Sequence, residues 1–239
     1  MKLKKILLPF LILILINTII QGQKKDLLQT EDLAFLKQMV KDVMDSSRIY
    51  PNQIISDNFG PNQTGGILIR PGGRNSYPAF WIRDYAMSIQ SGFVTQEEQK
   101  HMLLLTAKTQ SDEFKFTKWG SFIPKGAVAD HIRIDDGKPI YFPGTYSYEN
   151  QGDKKWGMQP PFCDQFFFIQ MAFHYVTSFS AFHSLNENIN GIKLIDRLEL
   201  AYQMPPTDSI TGLIEVNNEN RGVDFGFRDA IYITGKLCF

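Results

Sequence analysis

The sequence predicts an all-α fold: an (α/α)6 toroid of helical hairpins, incomplete, with long irregular loops on one face. Three observations predict it. Segments with apolar residues at three- and four-residue spacing recur along the chain, the mark of amphipathic helices. The connections between them alternate between short and long. Short connections keep neighbouring helices antiparallel, so the long ones gather on one face. No fixed-period repeat is present, which sets the regular solenoids aside. About six helices are expected, half of a twelve-helix toroid.

The first 22 residues read as a signal peptide. Lys2, Lys4 and Lys5 precede an apolar run from Ile6 to Ile20. That run is shorter than the roughly 20 residues a bilayer span needs, and Pro9 weakens a spanning helix. Gln21-Gly22-Gln23 offers a cleavage point after Gly22. The expectation is a secreted or periplasmic protein with no stable membrane anchor after cleavage. An uncleaved N-terminal anchor is the alternative. Residues 23–239 then form one domain, large enough to bury a substantial core.

Twenty-five basic residues balance 25 acidic ones, so the net charge is zero. Nucleic acid is not an expected partner, because phosphate binding needs clustered basic residues. Cys163 and Cys238 are the two cysteines, and whether they pair is open. No His and Cys spacing resembles a zinc site; neither a metal nor a cofactor is expected. Nineteen Phe, nine Tyr and three Trp are many for this length. Several lie in Gly/Pro-rich stretches rather than in periodic ones.

The elements follow in order. Asp26 to Ser46 reads as an amphipathic helix carrying Leu33, Leu36, Met39, Val40 and Val43; Thr30 is an alternative cap for a start at Glu31. Tyr50 to Pro78 is loop, with Ile67-Leu68-Ile69 as one short strand. A helix runs from Trp81 or Arg83 to Ser91, and Gly92 stops it. A second runs from Thr95 to Thr109, opened by a Thr95/Glu98 capping box. Ser111 to Pro160 is long and irregular, and loops of that length usually build a site. Inside it, Ala129–Ile134 and Lys138–Phe142 flank Asp135-Asp136-Gly137 as a hairpin. Asp164 to Ser184 is a strongly apolar helix, Asn188 to Met204 another. Pro205-Pro206 ends that helix, Asp208 to Gly222 is loop, and Phe227 to Phe239 starts a last helix. That final stretch is apolar with no polar tail, so the chain is expected to be truncated.

The densest chemistry lies in Tyr77-Pro78-Ala79-Phe80-Trp81-Ile82-Arg83-Asp84-Tyr85. A proline, several aromatic rings and an Arg-Asp pair precede an apolar helical pattern. Gly222-Val223-Asp224-Phe225-Gly226-Phe227-Arg228-Asp229 repeats the pairing of Arg with Asp. Phe80-Trp81-Ile82-Arg83-Asp84 resembles the first substrate-binding motif of the six-hairpin glycosidases, the superfamily of glucoamylases, trehalases and debranching enzymes. Phe225 to Ile231 is similar to a later hairpin of that toroid. The resemblance implies a glycoside hydrolase acting on or binding an oligosaccharide, with an inverting acid/base mechanism in the complete enzyme. It implies sugar contacts from Arg83 and Asp84, and by extension Arg228 and Asp229. The family's base lies near its C-terminus, and this chain is expected to end before it.

The candidate residues also have plainer readings. Arg83 and Asp84 bind a sugar, or form a surface pair with Asp84 favouring the helix dipole. Asp164 is a general acid held protonated among apolar groups, or it is the N-cap of its helix. Glu149, among tyrosines in the long segment, is the rival acid or a solvated loop residue. Trp81, Trp156, Trp119, Tyr141, Tyr146 and Tyr148 stack on pyranose faces or pin the loop as a small core. His131 pairs with Asp130 or is structural. Asn62-Gln63-Thr64 is a glycosylation sequon that matters in a eukaryotic source. A non-catalytic saccharide binder and a secreted helical interaction scaffold are the other two functional readings.

Overall fold

A computed structural model describes residues 28–55, 57–70, 77–154, 157–217, 219 and 222. The chain divides into two compact units, residues 1–40 and 41–239. Among the described residues the fold is mixed α/β. Five α-helices and nine short strands alternate, and the strands form four small antiparallel sheets. The all-α (α/α)6 toroid is therefore overturned. The segments expected as irregular loops carry five of the strands.

Helix α1 spans Thr30–Ser46. Thr30 is its first residue rather than its cap, and the Asp32 carboxylate accepts from the Gln29 amide at 2.9 Å. Strand β1 (Arg48–Ile49) pairs with β2 (Leu68–Ile69). Between them Asn62 is buried, donating to the carbonyls of Ile49 and Gly66 and accepting from the Thr64 amide and hydroxyl. The sequon asparagine is thus a turn-builder in the fold, not an accessible glycan acceptor.

Strand β3 (Ala79–Trp81) runs directly into helix α2 (Ile82–Ser88). A 3-10 turn, Ile89–Ser91, follows, and Gly92 ends it at φ 76° with its amide on the Ile89 carbonyl. Helix α3 (Gln96–Thr109) opens with the expected capping box, and both of its reciprocal hydrogen bonds are present. Strands β4 (Lys115–Phe116) and β5 (Phe122–Ile123) form a hairpin. Strand β6 (His131–Arg133) pairs with β7 (Pro139–Ile140), as the sequence predicts for that hairpin. The unforeseen partner is β3, which adds to the other edge of β6 with Trp81 opposite His131. Local pattern does not reveal such a pairing, because it joins residues fifty positions apart.

Helix α4 (Cys163–Ser178) is shorter than its apolar run; Ala181 and the 3-10 turn Phe182–Asn186 follow. The helix expected over Asn188–Met204 is instead two elements. Strands β8 (Asn188–Ile189) and β9 (Ile192–Lys193) form a tight hairpin, and helix α5 (Leu194–Gln203) follows. Asn190 and Gly191 make the turn with φ of 53° and 86°. Two successive left-handed residues match the twist of a two-residue hairpin, and they break a helix.

The core lies in the second unit. Helix α4 packs against α2, α3 and α5. Phe80, Ile82, Tyr85, Met102, Ile132, Phe168, Met171 and Leu194 fill the space between these helices and the β3-β6-β7 sheet. This packing brings the start of α2, the start of α4 and the start of β6 together.

Candidate functional site

Three short-range features create the site. Trp81 ends a strand and occupies the N-cap position of α2 with no side-chain capping bond. Arg83 and Asp84 therefore fall in the first turn of α2 and are half-buried. Phe162 occupies the N-cap position of α4, also with no capping bond, and Cys163 and Asp164 fill its first turn. Asp130 precedes β6, and its carbonyl accepts from the Ile82 amide at 3.2 Å. That bond ties the start of α2 to the sheet.

Asp164 is the anomaly. Its side chain is fully buried, with 0% exposure. Neither carboxyl oxygen accepts from a donor among the described residues, and the Asp130 carboxyl stands within hydrogen-bonding reach. It is not an N-cap, so the plain reading of this residue is overturned. The Arg83 Nε stands 3.9 Å from Oδ1, a contact too long for a hydrogen bond. Burial holds the carboxyl well above its ordinary pKa; the neighbouring Asp130 and Asp84 carboxylates push the same way, and Arg83 opposes them.

The surroundings are polar and crowded. Arg83 Nη2 donates to Cys163 Sγ at 2.9 Å. Burial pushes the Cys163 thiol up to about 12, helped by Asp164 and opposed by Arg83, so the sulfur is a thiol and not a nucleophile. Asp84 is also raised, first by burial; Arg83 opposes the shift and Asp130 adds to it. The expected Asp130–His131 pair is present, with Nδ1 and Oδ2 2.8 Å apart. The His131 ring lies under Trp81, centroids 4.2 Å apart and planes 23° from parallel. Tyr146 meets the same imidazole edge-on at 5.3 Å.

Trp81, Arg83, Asp84 and Asp164 are thus brought together, with Asp130, His131 and Tyr146 as neighbours. Asp130 and His131 had a sequence signal only as an adjacent acid and imidazole; their place beside Asp164 depends on the β3-β6 pairing. Glu149 lies elsewhere in character. It is exposed, its partners are the Ser147 hydroxyl and Lys138, and its own backbone amide and Ser147 lower its pKa. Tyr141 is buried and donates to the Thr109 carbonyl, which is the small-core role. Trp119 is half-exposed beneath the Lys118 ammonium. Tyr148 lines a separate cavity of about 660 Å³ with Lys108, Ser111, Lys115 and Lys138. Trp156, Arg228, Asp229 and Cys238 lie outside the described residues, as do the signal segment and the last expected helix. Among the described residues no group of three His, Cys, Asp or Glu side chains is arranged to hold a metal ion, and no helix is long and apolar enough to cross a membrane.

Comparison with protein-family models, with curated proteins and with solved structures found no match.

Proposed function

We propose that the chain is a glycoside hydrolase-like protein, exported to a secreted or periplasmic location, whose oligosaccharide site is the cluster around Arg83 and Asp164. One observation carries the reading: a wholly buried carboxyl with no donor on either oxygen among the described residues. A carboxyl left in that state costs folding free energy. A proton donor for a glycosidic oxygen has that use for it.

In this reading Asp164 is the general acid. It gives its proton to the glycosidic oxygen as the bond to the anomeric carbon breaks. In the same displacement water adds to that carbon from the opposite ring face and loses its proton to a carboxylate base, which the resemblance puts near the C-terminus of the complete enzyme, giving the inverting outcome. Arg83 donates to ring hydroxyls, and Asp84 accepts from a hydroxyl pair. Trp81 stacks on His131 and meets Tyr77 at 6.5 Å, and its indole is the aromatic surface against which a pyranose would pack. The likeness of Phe80 to Asp84 to the six-hairpin glycosidase motif supports the sugar assignment, although the fold is not an all-α toroid. Burial favours Asp164 over Glu149 as the acid, because an exposed carboxyl with a lowered pKa is ionised at neutral pH.

The test is turnover of a panel of 4-nitrophenyl glycosides, with oligosaccharide binding measured by calorimetry. The expected result is a hydrolysed glycoside, with Asp164→Asn slowed at least ~100-fold and still binding sugar. Binding without turnover in the wild type gives the non-catalytic saccharide binder. Absence of both ends the sugar assignment.

A further inference from the structure

His131 is fully buried, and both of its ring nitrogens face acceptor atoms. Nε2 lies 2.9 Å from the Thr145 carbonyl oxygen. A carbonyl cannot donate, so Nε2 carries a proton. Nδ1 lies 2.8 Å from Asp130 Oδ2. Two lone pairs do not face each other at that distance, so one proton bridges this contact. Whether nitrogen or oxygen carries it, the imidazole and carboxyl together have zero net charge.

That count fixes the rest of the cluster. The groups that face Asp164 are Arg83, at 3.9 Å, and Asp84 from α2, Asp130 just before β6 with its carboxyl within hydrogen-bonding reach, and Cys163 from its own turn. The Cys163 thiol is uncharged. Arg83 and Asp84 balance each other. With Asp130 offset by His131, the cluster is neutral only when Asp164 is protonated.

We infer that Asp130 and His131 are a positioning pair, which seats the Trp81 ring and offsets the Asp130 charge so that Asp164 holds a transferable proton. The inference rests on the reading of Asp164 as the acid. It adds His131, which touches no reacting atom, as the residue that sets that acid's working range.

Infrared difference spectroscopy tests it without a substrate. The Asp164 carboxylic C=O band is assigned by its loss in Asp164→Asn and followed through a pH titration. In the wild type the band is present at neutral pH. His131→Gln leaves Asp130 as an uncompensated anion beside Asp164, so the band's midpoint should rise by about one pH unit. Adding Asp130→Asn to that variant makes the pair neutral again and should return the midpoint most of the way. If His131→Gln does not fold, His131→Asn makes the same measurement. A role in packing alone would lower the melting temperature and leave the midpoint in place. An unmoved midpoint, or no return in the double variant, overturns the inference, as does absence of the band in the wild type. The expected shift in a protein that turns over no glycoside would keep the pair's role and remove the glycosidase reading.

Discussion

Arg197 and Asp164 are both fully buried ionisable side chains in the first turns of adjacent helices. Arg197 is satisfied throughout. Its Nε and Nη2 donate to the Ile189 carbonyl at 3.1 and 2.8 Å, and Nη1 reaches Asp112 at 2.9 Å and Gln110 at 3.4 Å. The Gln110 amide in turn donates to the Arg197 carbonyl. Among the described residues Asp164 has one cation at 3.9 Å, the Asp130 carboxyl beside it and no donor on either oxygen. The same fold therefore completes one buried charge with donors and acceptors and leaves the other without. The first arrangement holds the β8-β9 hairpin to the rest of the molecule. The second gives up stability at the residue to which the proposed function assigns the acid.

The largest expected effect falls on the satisfied side. Arg197→Ala should cost about 3–5 kcal/mol, because it opens a cavity and strands the Ile189 carbonyl and Gln110. Urea unfolding measures it, and a loss under 1 kcal/mol would erase the contrast.

On the unsatisfied side the effect moves to function. Asp164→Asn should lower turnover at least ~100-fold, or about 2.7 kcal/mol of transition-state stabilisation. Its stability signature has a definite sign. A carboxyl whose folded pKa is raised binds more protons folded than unfolded at intermediate pH. Its destabilising effect is absent below the unfolded pKa, which is near 3.8. It grows as pH rises from there toward the folded value. Wild-type urea midpoints should therefore fall relative to Asp164→Asn across that window. Parallel pH curves would show that Asp164 ionises freely.

Asp84→Asn keeps the side-chain shape and removes a charge from the proposed sugar contact. About a tenfold loss of sugar affinity or turnover is expected, or 1.4 kcal/mol, with melting temperature nearly unchanged. Unchanged kinetics with a lower melting temperature would return Asp84 to the helix-dipole reading.

The smallest effect is local. Thr95→Ala removes one half of the α3 capping box and should cost about 1 kcal/mol in urea unfolding, with no change in sugar binding. An effect on binding would show that α3 is coupled to the site.

What the sequence revealed follows the range of the interactions. The capping box at Thr95 and Glu98, the stop at Gly92 and the hairpin around Asp135 to Gly137 are set by residues within a few positions of each other, and all are present in the structure. Arg83 and Asp84 at a helix start were legible for the same reason. The all-α expectation failed because the strands are two or three residues long, too short for alternation to show. The pairing of β3 with β6 is set by tertiary packing. Asn190-Gly191 is a hairpin signature that outweighs the apolar spacing around it, so the segment from Asn188 turns before its helix begins. Asp164 was legible as a buried acid, but its lack of a capping role was not, because cap position depends on where the helix begins.

The junction at Trp81 has a mechanical consequence. The residue is the last of β3 and the cap of α2, so no loop separates the sheet from the helix that carries Arg83 and Asp84. A hinge needs a few free backbone torsions, and here they are held by the ladder on one side and the helix on the other. The aromatic wall and the charged pair therefore move as one body. A ligand meets a mould already set, and little ordering entropy is lost at this wall when it binds.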